Sequence, residues 1–277
     1  MTVSWPLPEL DARAIWSVRV IDADSAEPLL EHHPDTQCET ASIGKIFLLI
    51  EVARRVEAGT LQLSQHVEVP AEFAVADSGI LYRMRDQRLC VDDLALLVGA
   101  FSDNLATNTL LHLCGLESVR LVAPGLGYSQ TSLHDYIRNE RTPDLPWTPS
   151  YGTARELADV MRRLASGQIH SPAVSERVLG WLASDADTSL VADSFLLDPL
   201  AHVDAEYQGM VLRHKTGTTD FARIDVGYVS GPAGAVAYAV AANWKGVAVD
   251  LRAPVIDAMR AIGEQIRHHV TGRAREE

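Results

Sequence analysis

The 277-residue sequence predicts an α/β fold of the α+β kind. One antiparallel sheet flanked by terminal helices carries an inserted all-helical lobe. Three observations predict it. Strand-like alternation is confined to the two ends of the chain. The middle shows helical patterning and helix punctuation. A lone hairpin is marginal in water, so the two strand sets are best paired in one sheet. The lobes are therefore 1–40 with 200–277, and 41–199, and the cleft between them is a favoured place for a site.

Trp16 to Ile21 alternates apolar and polar residues, as a half-buried strand does. Asp22-Ala23-Asp24-Ser25 is a turn, and Glu27 to His32 returns as a second strand. His32-His33 reads as a solvated hairpin end rather than a metal pair. A helix from Ser42 to Gly59 follows, stopped by its glycine. Its first turns are apolar on nearly every side, which predicts burial. Val67-Glu68-Val69 is a short strand and Asp77-Ser78-Gly79-Ile80 a loop. Val91 to Gly99 is helical, with acids in the first turn where the helix dipole favours them. Phe101-Ser102-Asp103-Asn104 interrupts before a helix from Leu105 to Leu113 that ends at Gly115. Glu117 to Ala123 is a short helix closed by Pro124-Gly125. Arg138 to Ser150 holds three prolines and reads as a long surface loop. Thr153 caps a helix over 154–166, and Pro172 to Ala183 forms another. Asp185 to Asp198 has no clear pattern. Val211 to His214 is a strand, with Lys215 to Thr219 as its end and turn. Asp225 to Val229 and Ala235 to Asn243 are strands, and Ala253 to Val270 is an amphipathic helix. The tail from Thr271 is charged and expected to fray.

Composition bounds the chemistry. A chain 47% hydrophobic and 22% charged is ordinary for a globular protein. The net charge of −13 argues against nucleic acid or an anionic membrane as partner. Its plainer meaning is solubility. No apolar run is long enough to span a bilayer. Met1 to Pro8 has neither a basic region nor an apolar core, so no secretory signal is expected. The chain reads as cytoplasmic, or as periplasmic or secreted if it is a mature form with its signal removed. Cys38, Cys90 and Cys114 make an odd count without metal-ligand spacing. Free or buried thiols are expected, with a Cys90–Cys114 disulfide as the alternative. No metal or cofactor is expected. The expected partner is a small-molecule substrate, bound by a monomer.

Ser42-Ile43-Gly44-Lys45 opens the first helix. Ser42 and Lys45 fall on one face of its N-terminus, which is electropositive and carries free N–H groups. In an apolar setting burial lowers the lysine pKa, so Lys45 can accept the Ser42 proton. A helix cap with a surface lysine is the competing reading of this stretch alone. Ser102-Asp103-Asn104 and Lys215-Thr216-Gly217 add a second serine, an amide and a second lysine. Together they make a set for acyl transfer to serine that needs no histidine. The ten histidines show no partner pattern, which makes a Ser-His-Asp triad the weaker model.

The three motifs occur once each, in this order, and resemble the serine β-lactamase and penicillin-binding protein superfamily. Spacing and length most resemble class A β-lactamases. Ser78-Gly79-Ile80-Leu81, the run Ser102 to Asn108 and Asp225-Val226-Gly227 extend the likeness, which covers Trp16 to Val270. The resemblance implies a β-lactamase-like fold, with Ser42 as nucleophile and Lys45 as its base. It implies that Ser102 relays a proton to the leaving nitrogen and that Asn104 binds the substrate's side-chain amide. Lys215 would hold Lys45 partly neutral and attract a substrate carboxylate, which Thr216 and Thr218 of the Lys215-Thr216-Gly217-Thr218 run would bond. The N–H groups of Ser42 and Thr218 would form the oxyanion hole. Arg223 is either a further carboxylate partner or a solvated strand arginine.

The sequence departs from the class A pattern at the step after acylation. Thr131 to Tyr136 resembles the lead-in to the family's Glu-x-x-Leu-Asn segment. Ile137 stands where the water-activating glutamate is expected, and Arg141 where the asparagine would be. Asp135, Glu140 and Asp144 are nearby, and Glu140 would face the same way as Ile137 if this stretch were helical. The expected activity is opening of a β-lactam, or of a related carboxylate-bearing amide or ester, with slow deacylation. The alternatives are an esterase or transacylase in a biosynthetic pathway, a covalent β-lactam sensor, and a DD-peptidase.

Overall fold

The structure is a computed structural model that describes residues 4–202 and 209–272. The N-terminal alternation folds as a hairpin of β1 (Ile15–Asp22) and β2 (Pro28–His32). β3 (Cys38–Glu39) leads into a 3-10 turn, Ala41–Gly44, that runs directly into α1 (Lys45–Glu57). Every residue of α1 from Lys45 to Ala53 is buried, as its all-round apolar pattern demands. β4 (His66–Val67) pairs with β5 (Leu89–Cys90), and α2 (Val91–Phe101) and α3 (Asn104–Cys114) follow. After the short α4 (Leu116–Arg120) and α5 (Val122–Gly125), β6 (Ser132–Leu133) and β7 (Ser150–Gly152) bracket the proline-rich loop. Next come α6 (Ala154–Ala165) and α7 (Pro172–Leu182). β8 (Val211–Thr219), β9 (Ala222–Gly231), β10 (Gly234–Asn243) and α8 (Arg252–Thr271) complete the described chain.

The main sheet runs β2-β1-β10-β9-β8, antiparallel throughout. The pairing of β1 with β10, Trp16 opposite Ala242, joins the two ends of the chain as the marginal stability of a lone hairpin predicts. β10 is apolar along its length because both its faces are covered. Ala237, Ala239 and Ala241 pack toward the helical lobe, and Val236, Tyr238 and Val240 pack with α8. Small alanines on the first face let α6 lie close against the sheet.

Two expectations need correction. The inserted lobe is not all-helical: β4–β5 and β3–β7–β6 form small sheets near it. Strands of two or three residues are too short to leave a periodic signal. β8 does not stop at His214. It continues through Lys215-Thr216-Gly217 to Thr219, residues that read as a turn in the sequence. Gly217 serves a different purpose, since a Cβ there would lie 2.5 Å from the Thr40 carbonyl oxygen. Its hydrogen lets β8 touch the 3-10 turn that carries Ser42. Cys38, Cys90 and Cys114 are all free, as expected, and the alternative Cys90–Cys114 disulfide is not formed. Burial pushes the Cys38 and Cys114 thiols up to about 12.

Asp185 to Asp198, patternless in the sequence, is an irregular segment that ends in a 3-10 turn, Val191–Phe195, packed against α8. The charged tail beyond residue 272 lies outside the described residues. Among the described residues no helix is long and apolar enough to cross a membrane. The substitution Gly217→Ala is expected to force β8 off the Thr40 carbonyl, a backbone atom that cannot swing away. A loss of about 1–3 kcal/mol should follow, measured as a lower denaturation midpoint. An unchanged midpoint would mean the contact is slack.

Candidate active site

Ser42 lies on the 3-10 turn before α1. Ala41, just ahead of it, is held at φ 48°, a left-handed conformation uncommon for alanine. Lys45 is the first residue of α1 and fully buried. Its Nζ donates to the Ser102 carbonyl at 2.6 Å, to Ser102 Oγ at 3.1 Å and to Asn104 Oδ1 at 2.7 Å. Ser102 can offer both groups because it ends α2 in a left-handed turn, φ 52° and ψ 35°. Asp103 holds that turn in place. One of its oxygens caps α3 at the Ala106 N–H (2.9 Å), and the other accepts the N–H groups of Ile80 and Leu81, each at 2.7 Å. Gly79, at φ 99°, passes so close to Asp103 that a Cβ would collide with its backbone.

The Lys45 amine is held well below the ordinary lysine range. Burial is the largest cause and the Lys215 charge the next. Asp103, Asp185 and Asp77 pull the other way and are outweighed. Lys215, on β8, is also fully buried. Its Nζ donates to Asp185 Oδ2 at 3.2 Å, and the Thr216 N–H donates to the same oxygen at 3.2 Å. The Thr216 hydroxyl donates to Asp187 Oδ2 at 2.9 Å. β8 is the edge of the sheet, and the Thr216 N–H points off that edge. Backbone alternation aims the Thr218 N–H, two residues on, toward the same open side.

Ser42, Ser102, Asn104, Thr216 and Thr218 line one cleft of about 400 Å³, together with Asp77, Ser78, Asp185 and Asp187. Arg223 is elsewhere. It sits on β9 opposite Thr218, and its Nη1 donates to the Thr219 and Ala222 carbonyls at 2.5 and 2.7 Å. Its guanidinium stands 5.8 Å from the Trp244 ring centre. It lines an adjoining cavity that meets the cleft at Asp77, Ser78 and Thr218.

Ile137 is fixed by its backbone. Asn108 Oδ1 accepts the Ile137 N–H at 2.9 Å, and Asn108 Nδ2 donates to the Ile137 carbonyl at 2.9 Å. Asn108 follows Asn104 by one helical turn, so Ile137 is tied to the α3 face that carries Asn104. The stretch from Ile137 to Glu140 is not helical, so the spacing that would turn Glu140 beside Ile137 does not operate. Glu140 is exposed. Asp135 is engaged by Arg138 at 3.1 Å and Arg141 at 2.9 Å, and Arg141 also donates to the Tyr136 and Pro146 carbonyls. These groups staple the loop.

Asp185 and Asp187 enter the site although no sequence motif announced them. The usable signal was their spacing: acids two apart in an extended segment face the same way. Among the described residues, no three His, Cys, Asp or Glu side chains gather as a metal site requires.

The chain matches the beta-lactamase enzyme family over residues 10–270. No curated protein matches it. Among solved structures it is similar to the beta-lactamase from Sphaerobacter thermophilus, at 26% identity and a TM-score of 0.80, covering 95% of this chain and 93% of that one. It is also similar to PBP-A, at 20% identity and a TM-score of 0.76, covering 93% and 90%. A PBP-A mutant is described as an acyl-enzyme complex with penicillin-G. An ancestral class A beta-lactamase aligns at 21% identity and a TM-score of 0.74, covering 91% and 93%. At such identities the last two likenesses speak to the fold alone.

The substitution Lys215→Ala should raise the Lys45 pKa. It removes a like charge and leaves Asp185 without its lysine partner, and both changes favour the ammonium. The amine would then form only at higher pH. The acidic limb of the pH profile for serine labelling in this cleft is expected to move upward. A limb that stays in place would show that the two lysines are not coupled.

Proposed function

The chain belongs to the beta-lactamase enzyme family and is a serine β-lactamase-like hydrolase; from that premise we propose that Ser42 is acylated by a β-lactam or a related amide or ester. The observation that carries this reading is the buried Lys45, whose Nζ reaches the Ser102 hydroxyl at 3.1 Å beside the cleft that Ser42 lines. The Lys45 amine takes the Ser42 proton as Oγ attacks the scissile carbonyl. The Ser42 and Thr218 N–H groups meet the oxyanion that forms. The bond to the leaving nitrogen or oxygen then breaks, and a proton passes from Lys45 through Ser102 to that atom. Asn104 lines the wall along which the substrate's side-chain amide would lie.

Deacylation is the slow half of the proposed cycle. It needs a water near the ester carbonyl and a base within hydrogen-bond reach of it. In this reading Ile137 fills the place of that base and offers no acceptor, so chemistry of the class A type stops at, or lingers on, the acyl-enzyme. A covalent sensor is the limit of the same behaviour. A biosynthetic esterase or transacylase is the second reading, and it is favoured by Asp185 and Asp187 at the end of the cleft beside Thr216.

Intact-protein mass spectrometry after mixing with a penicillin tests the assignment. One persistent adduct is expected, absent from Ser42→Ala and from Lys45→Arg, since arginine keeps its proton. Labelling of either variant at the wild-type rate would refute the role given to that residue. Supplying an acceptor with Ile137→Glu should shorten the adduct's lifetime about tenfold or more. Glu140→Gln is expected to leave that lifetime unchanged. An adduct that outlives the wild type in Glu140→Gln would return the base to the exposed loop.

A further inference from the structure

Two of the residues expected to receive a substrate carboxylate, Lys215 and Thr216, are already engaged by carboxylates of the chain itself. The Thr216 hydroxyl donates to Asp187 at 2.9 Å, and Lys215 Nζ and the Thr216 N–H both donate to Asp185 at 3.2 Å. Asp187 is fixed from its other side by the Ser189 hydroxyl at 2.5 Å and the Ser189 N–H at 3.2 Å. It is therefore a built part of the wall, not a loose surface acid. Burial pushes its carboxyl up, but the Ser189 and Thr216 hydrogen bonds and the Lys215 charge outweigh burial and keep it below its usual range. Arg223, the other cation expected to meet a carboxylate, donates to the Thr219 and Ala222 carbonyls and lines the adjoining cavity. Asp77 adds another acid to the cleft wall.

With Lys45 as an amine, the Lys215 charge stands beside Asp185 and Asp187, Asp77 lies on the same cleft wall, and the Arg223 charge reaches Asp187 from the adjoining cavity, so three acids are set against two cations. Like charges in a cleft of low dielectric oppose an incoming anion, and the net −13 of the chain adds to that field. A carboxylate arriving beside Thr216 would have to displace Asp187 from the hydroxyl and then remain next to it.

We infer that Asp187 is a specificity-determining residue, and that the substrate group seated beside Thr216 is neutral or cationic rather than a carboxylate. This rests on the proposed acylation of Ser42 and narrows its substrate class. The preferred substrates are amides or esters that present an uncharged group, or an amine, at the β8 edge. A free-acid β-lactam is then a poor acylating agent, and masking its carboxylate improves it.

The test compares three forms of one penicillin: the free acid, its methyl ester and its diethylaminoethyl ester, which carries a cation. Second-order acylation rates are read by intact mass, with a fluorophosphonate as an independent label for Ser42. The wild-type protein is expected to react faster with both esters than with the free acid, by about tenfold, which corresponds to about 1.4 kcal/mol. Raising the salt should narrow the gap by screening the acids. Asp187→Asn should raise the free-acid rate relative to the methyl ester and lower the relative rate of the cationic ester. A wild-type protein that prefers the free acid overturns the inference without any variant. So does an Asp187→Asn ratio equal to that of wild type. Failure of the fluorophosphonate to label Ser42 would instead remove the acylation reading beneath it, and the inference with it.

Discussion

The site depends on how two buried lysines are treated. A buried ammonium without a partner costs several kcal/mol even after relaxation. Lys215 is given a carboxylate, Asp185, at 3.2 Å. Lys45 is given only neutral acceptors: a carbonyl, a hydroxyl and an amide. Burial is therefore met by a counter-charge at one lysine and by none at the other. The Lys215 charge depresses Lys45 further, and on the proposed mechanism this is what lets Lys45 serve as the base. Exchanging the partners would leave the fold with the same buried volume and no base beside Ser102.

Those acceptors must be brought to Lys45, and here the backbone is strained. Ala41 and Ser102 both occupy left-handed conformations, each costing of order 1–3 kcal/mol. The surroundings over-determine them. Asp103 fastens the turn after Ser102 to α3 and to the Ile80–Leu81 backbone, and it is itself fully buried. Gly79 and Gly217 supply the close approaches, one against Asp103 and the other against the Thr40 carbonyl. The middle residue of Ser102-Asp103-Asn104 is thus a structural residue flanked by two that face Lys45.

Much of this was legible in the chain. The Ser42–Lys45 helix start, the split sheet and the order of the motifs come from periodicity, capping and spacing, which are local properties. What escaped was non-local. Lys215 to Thr219 reads as a turn because a threonine- and glycine-rich run has turn composition, whereas its glycine answers to the Thr40 carbonyl, far away in sequence. Asp185 and Asp187 sit in a segment without periodicity, and their meaning depends on Thr216 and Lys215 arriving from β8. Arg223 was open to two readings, and its side chain turns to backbone carbonyls of its own hairpin.

The same distinction between rigid and loop-borne parts separates the two halves of the proposed cycle. The groups assigned to acylation sit on the 3-10 turn before α1, the start of α1, the end of α2, α3 and β8, all packed in or against the core. The segment assigned to deacylation is the loop around Ile137, and it is held without using that side chain. Asn108 grips the Ile137 N–H and carbonyl, Asp135 is clamped by Arg138 and Arg141, and Tyr136 stacks on Phe73 with ring centres 4.2 Å apart. A backbone grip is indifferent to whether residue 137 carries an acid or a hydrocarbon. The loop can therefore keep its place while the side chain that would activate water is replaced. On the proposed mechanism, the lifetime of the acyl-enzyme is adjustable at one position, with no change in the machinery that forms it.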